Sequence, residues 1–226
     1  MLRQLLTAFL VVGATVVSAA QSPLPPPFPR TNATKLLDTD RITVWNIVWP
    51  KGQPTALHRH VYDQVGTYYA RGGRTITTPD GNARQAMTEV GSLSTTRKGT
   101  THVEEGNTDP PLRAVFIELK RDTSSGAASA SDATGFSRPG ARQAFDDDRV
   151  RVWDYIAAAG AEASARAASD VVIVYLGEGR LEIAADEGKV EELRVAPGTM
   201  RYVPRGAAQR ERVLEGTPRA MAFEIK

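Results

Sequence analysis

The sequence contains no cysteine and only three histidines, His58, His60 and His102. Without a thiol there is no disulfide framework, no thiolate metal site and no lipidated cysteine anchor, so core packing alone must hold the fold. Charge of one sign is missing too. Twenty-eight basic residues against 26 acidic ones leave a net charge of +2, and no run interleaves basic with aromatic residues, so the pattern argues against nucleic acid as a partner. No stretch carries the 3.6-residue apolar period of a long amphipathic helix. The single long apolar run, Leu5 to Val17, covers 13 residues (17 − 5 + 1), short of the roughly 20 that a membrane span takes. Arg3 ahead of it and Ser18, Ala19 and Ala20 behind it give residues 1–20 the layout of a secretory signal peptide. The expectation is a periplasmic or secreted protein with no stable membrane anchor.

What is present is β pattern, twice. Residues 21–33 form a proline-rich leader, and Gln21 to Arg30 (QSPLPPPFPR) reads as an extended, solvated polyproline-like spacer. After Asp40, RITVWNIVWP alternates and is rich in β-branched and aromatic residues. Val65–Tyr69, Arg74–Thr78, Gly91–Thr96, Thr101–Glu104 and Arg113–Lys120 continue as short strands, with turn chemistry at Pro79-Asp80-Gly81. A Ser/Gly/Ala-rich linker follows at 122–139. The landmarks then return. Asp40-Arg41-Ile42-Thr43-Val44-Trp45 reappears as Asp148-Arg149-Val150-Arg151-Val152-Trp153, Gly91 as Gly198, and RAVFIELK (Arg113 to Lys120) as RAMAFEIK (Arg219 to Lys226). Offsets of 108, 107 and 106 residues (148 − 40, 198 − 91, 219 − 113) are domain-sized, unlike a solenoid period. An all-β chain of two tandem sandwiches or barrels, 34–121 and 140–226, is expected.

His58 and His60 are one residue apart, so on a strand both rings leave the same face. An imidazole from another strand, His102, would complete a facial set of three nitrogen ligands for one divalent metal. Gln64, Gly66 and Tyr68 continue the His58/His60 phase, and Glu104 shares the phase of His102. Gln64 can coordinate weakly or hold a metal-bound water, and Asp63 would join only if the strand is bulged there. Glu104 reads either as an orienting group or base, or as a solvated loop carboxylate. Tyr68 reads as a hydrogen-bond donor to a ligand, or as interior lining. Arg166, Arg201 and Arg205 read as an anion pocket or, with more support, as solvated surface.

Two stretches resemble the cupin family. Gly52, His58 and His60 match its first motif, with Gln64 at the glutamate position and Gly72 one residue late. Gly91, Gly99 and His102 match its second, with Arg97 in place of the proline and Gly106 in place of the asparagine. The resemblance implies two cupin-type antiparallel jelly-roll barrels, the first holding one divalent transition metal (Fe, Mn, Zn, Ni or Cu). At an offset of 108, Arg166, Ala168 and Val172 stand where His58, His60 and Gln64 are, and Gln209 stands where His102 is, so the second copy is expected to bind no metal. Cupins with three histidines and no acidic ligand suggest mononuclear-metal oxidoreductases, dioxygenases of small organic acids above all. A non-enzymatic metal or small-ligand binding protein of the cell envelope, and a metal-dependent isomerase or lyase, are the alternatives. The expected partner is a small anionic molecule, and the family's pairing through sheet edges makes a homodimer compatible.

Overall fold

The computed structural model describes residues 23–120, 138–185 and 188–226; the expected signal peptide and most of the expected linker lie outside them. The described residues contain no helix. The first unit has nine strands: β1 (Ala33–Asp38), β2 (Ile42–Trp49), β3 (His58–Arg59), β4 (Asp63–Ala70), β5 (Gly72–Thr77), β6 (Ala83–Thr88), β7 (Leu93–Thr96), β8 (Thr101–Gly106) and β9 (Leu112–Leu119). The second repeats them: β10 (Arg142–Asp146), β11 (Val150–Ile156), β12 (Glu162–Arg166), β13 (Asp170–Tyr175), β14 (Gly179–Ala185), β15 (Val190–Val195), β16 (Met200–Val203), β17 (Ala208–Gly216) and β18 (Arg219–Ile225).

Sheet order repeats with the strands. The first unit has the orders β1-β2-β9-β4-β7 and β3-β8-β5-β6; the second has β10-β11-β18-β13-β16 and β12-β17-β14-β15. Even the bulge recurs, between Lys35 and Leu37 and again between Gln143 and Phe145. Each unit is thus a pair of antiparallel sheets, and the sheets are not closed into a hydrogen-bonded cylinder. The turn expected at Pro79-Asp80-Gly81 joins β5 to β6: the Thr78 carbonyl accepts from Gly81 N–H, and Gly81 takes a φ of 85°, a left-handed conformation that glycine adopts without penalty.

The five-stranded sheets are buried on both faces. Side chains alternate along a strand, so on β9 Leu112, Ala114 and Phe116 face the interior of their own unit, whereas Val115, Ile117 and Leu119 face outward. On β18 Ala220 and Ala222 point inward and Met221, Phe223 and Ile225 outward. The two outward faces meet. Ile42, Val44, Val65, Tyr69, Val115, Ile117 and Leu119 of the first unit form one core with Val150, Val152, Val172, Val174, Leu176, Met221, Phe223 and Ile225 of the second.

Reciprocal ion pairs flank this shared core. Arg41 donates to Asp170 (2.8 Å) and to the Lys226 carbonyl (2.7 Å). Arg149, its counterpart, donates to Asp63 (2.8 Å) and to the Leu119 carbonyl (2.8 Å). Asp63 also accepts from Lys98 N–H of its own unit at 2.7 Å, so both carboxylate oxygens are taken, one of them by the contact between units.

Two sequence expectations need correction. The proline-rich leader is solvated only in part: residues 23–26 and Pro29 are exposed, whereas Pro27 and Phe28 are buried. Phe28 is 7% exposed and stacks on Trp45 at 4.7 Å between centroids, while the Pro25 carbonyl accepts from Arg59 N–H. Burying a large ring outweighs freedom of the spacer. The register of the second copy also slips. β12 pairs Ala165 with Gln209, just as β3 pairs His58 with His102, so the counterparts of His58 and His60 are Ala165 and Ala167 rather than Arg166 and Ala168. Likewise Val171 faces Glu224 as Gln64 faces Glu118, which displaces Val172. Ala165 lies five residues after Gly160, whereas His58 lies six after Gly52, so one residue is missing ahead of the pairing. None of the corrected positions carries a metal ligand of the histidine or acidic type.

Candidate metal centre

β3 and β8 lay His58 directly opposite His102. His60 follows the end of β3, pinned by backbone bonds from its N–H to the Thr100 carbonyl (2.9 Å) and from Gly99 N–H to its own carbonyl (2.7 Å). Gly99 makes that turn with a φ of 89°. The three rings are buried, with centroids 4.8, 5.1 and 5.4 Å apart. One ligand nitrogen from each lies within 4.8 Å of the others, and Nε2 of His60 is 3.3 Å from Nε2 of His102.

The donor chemistry fits a cation. His58 Nδ1 is 2.9 Å from the Ala56 carbonyl, which only accepts, so Nδ1 carries the proton and Nε2 is left with its lone pair. That Nε2 is buried with no hydrogen-bond partner among the described residues. Burial pushes the His58 pKa down; for His60, burial and the neighbouring imidazoles push it to about 4; for His102, burial lowers it against the opposing pull of Glu104. At neutral pH three uncharged imidazoles converge with a lone pair unsatisfied, the arrangement that a metal ion relieves.

Beside the triad lies a buried ionic cluster. Glu104 is 6% exposed. It accepts from Arg74 Nη1, from Trp49 Nε1 (3.0 Å) and from Arg30 (3.3 and 3.4 Å), and its Oε1 is 3.9 Å from His102 Nε2. Burial would raise its pKa, but the guanidiniums of Arg74 and Arg30 outweigh that and hold it at about 2. Glu104 is therefore a carboxylate at any ordinary pH and a weak base. Tyr68 is 2% exposed and its oxygen accepts from Arg74 Nη2 at 2.6 Å; burial pushes its pKa up. Gln64 is 4% exposed on the strand face of Gly66 and Tyr68, and its Nε2 is buried without a partner among the described residues. Asp63 has left the site for Arg149.

Arg74, Arg30 and Trp49 were not singled out from sequence. The repeat held a signal for part of the cluster: Arg30, Tyr68 and Glu104 return as Arg138, Tyr175 and Glu211 at offsets of 108, 107 and 107. In the second unit Arg138 again meets its glutamate, at 3.5 Å. Arg201, expected on the solvated surface, is instead half-buried and turned inward onto the second unit's Tyr–Glu pair. Its guanidinium donates to Tyr175 Oη (3.0 Å), Glu211 (2.6 Å) and Gln209 Oε1 (2.5 Å). Arg166 donates to the Gly206 carbonyl and Arg205 is exposed, so the three arginines make no joint anion pocket.

No family model and no curated protein matches the sequence. Solved structures do. The chain is similar to AerE from Microcystis aeruginosa, at 11% identity over 90% of this chain and 98% of that one, with a TM-score of 0.61. It is also similar to salicylate 1,2-dioxygenase from Pseudaminobacter salicylatoxidans, at 12% identity over 85% and 75%, TM-score 0.61. A third is a Cupin 2 conserved barrel domain protein from Leptotrichia buccalis, at 12% identity over 86% and 88%, TM-score 0.57. At such identities the likeness speaks for fold, and it agrees with the repeated sheet order and the placement of the histidines: the chain has the cupin fold, in two tandem copies.

Proposed function

We propose that the protein is an exported metal-dependent oxidoreductase of dioxygenase type, acting on a small organic acid. The observation that carries the metal is His58 Nε2, a buried lone pair with no partner among the described residues, beside two further neutral imidazoles. An ion of Fe, Mn, Zn, Ni or Cu held by His58, His60 and His102 would supply Lewis acidity and open positions for ligands.

The chain's own residues would do the rest. Two guanidiniums against one carboxylate give the wall beside the triad a net positive charge, which favours an anion. Gln64 Nε2 is available to donate to a ligand oxygen. Tyr68 and Glu104 serve here as positioning groups, because both are occupied by Arg74 and both recur in the copy without histidines. Salicylate 1,2-dioxygenase, a structural neighbour, has been solved as adducts with gentisate, so hydroxylated aromatic acids are the first substrates to try.

A non-enzymatic metal or ligand binding protein is the second reading. It is favoured by the absence, among the described residues, of a strong base beside the triad. Protein purified without a histidine tag should hold close to one metal ion per chain by elemental analysis. Oxygen uptake with gentisate or salicylate that is lost in His102→Ala supports the enzyme. Ligand-dependent thermal stabilisation without turnover supports the binding protein. Metal-free protein from its own compartment defeats the enzyme and the metal-binding protein alike.

A further inference from the structure

The two units bury the same Tyr–Glu pair but supply its strand-borne arginine from different places. In the first unit Arg74, on β5, reaches Glu104 and Tyr68. In the second, Leu181 takes that position: Leu181 faces Val213 as Arg74 faces Gly106. The arginine comes instead from β16, where Arg201 faces Ile173 as Ser94 faces Gly66. Ser94 is short, and its side chain hydrogen-bonds to Tyr68. Arg201 spans Tyr175 and Glu211 and goes on to Gln209, the residue at the place of His102.

We infer that the strand carrying this arginine decides whether a unit admits a metal ion, with Ser94 on β7 keeping the first unit open and Arg201 on β16 filling the second with a cation of its own. The inference rests on the metal reading above. A guanidinium at the position of Arg201 is a planar array of donors. Facing a histidine in place of Gln209, it would take up the Nε2 lone pair that a metal needs and set a positive charge against the ion. From β5 the same guanidinium satisfies the glutamate and tyrosine from the other side and leaves the imidazole nitrogens to one another. Loss of histidines in the second unit is therefore only half of its incompetence; the other half is Arg201.

The test uses tag-free, full-length chain and Co(II) alone, with binding read by equilibrium dialysis and elemental analysis. Wild type should take up one equivalent. The exchange Arg74→Leu with Ser94→Arg copies the arrangement of the second unit and should weaken Co(II) binding at least tenfold with a cooperative melt retained. Arg74→Leu with Ser94→Ala, which loses the same arginine without gaining another, should keep the ion. In the converse arm, histidines placed at Ala165, Ala167 and Gln209 should add no second equivalent while Arg201 remains. They should add one after Arg201→Ser with Leu181→Arg. This arm answers the question even if the first exchange does not fold. Undiminished binding by the first exchange, or a second equivalent with Arg201 present, overturns the inference and leaves the metal reading standing. Wild type that takes up no Co(II) overturns both.

Discussion

Replacing Phe223 by alanine tests whether the two units share one core. Phe223 is fully buried on the outward face of β18, opposite Val152 on β11 and Val172 on β13. Phe→Ala in a core costs about 3–5 kcal/mol, the larger values arising where the walls cannot collapse into the void. Here the void would be walled by two sheets facing each other, each held by its own ladders, so the upper half of that range, about 4–5 kcal/mol, applies. For a chain of this size each kcal/mol moves the midpoint by about 2–4 °C, giving a drop of about 8–20 °C. The assay is thermal unfolding followed by tryptophan fluorescence in a Trp153→Phe background. The remaining reporters, Trp45 and Trp49, both sit on β2 in the first unit. If the core is shared, tryptophans of the first unit should unfold at the lowered midpoint although the substitution lies in the second. A first-unit signal that stays at its original temperature while far-UV dichroism shows an earlier loss of the second unit would refute the reasoning.

Other outcomes follow from particular contacts. Gly66→Ala should destabilise by about 1–3 kcal/mol through overpacking, because the new Cβ would stand 2.0 Å from the Phe116 ring and 2.5 Å from the Val115 carbonyl. Adding Phe116→Ala should recover part of this loss in urea unfolding, since the second unit pairs Ile173 with Ala222 at the matching place. Acid should weaken the contact between units. Burial would raise the Asp63 pKa, but Lys98 N–H and Arg149 outweigh it and hold it below the ordinary 3.8. Its stabilisation is therefore present above that value and lost as pH falls below it, and Asp63→Asn should flatten this part of the melting-temperature profile below pH 4. Stripping metal with a chelator should lower the melting temperature. A ligand at 100 times its Kd stabilises by about 2.7 kcal/mol, and His102→Ala should show no such difference between treated and untreated protein.

The triad was legible because histidine is so rare here and because strand geometry has a period of two, so His58 and His60 had to share a face. Their meeting with His102 needed the family motif, since spacing cannot bring two segments some 40 residues apart together; β3 and β8 do so by direct pairing. The arginines were illegible for a physical reason. A charged residue in an alternating strand reads as outward-facing, and Arg74 and Arg201 turn inward only because Glu104 and Glu211 wait inside. Arg30 was hidden by its proline-rich setting, whose composition suggests solvation until Phe28 is seen against Trp45. The shared core was written more openly, in strands such as Val171-Val172-Ile173-Val174-Tyr175, which do not alternate and so require cover on both sides. The slipped register of β12 could not be read from landmark glycines, since one missing residue in a loop leaves every later landmark nearly in place.

The outward faces of the two five-stranded sheets match position for position, Ile42 with Val150, Val44 with Val152, Ile117 with Phe223 and Leu119 with Ile225. Each half is consequently shaped to receive a near-replica of itself. Cutting the chain between them would give no pair of independent modules. Either fragment, expressed alone, would be driven to recruit a twin through the surface it had lost, and its folding would become dependent on concentration.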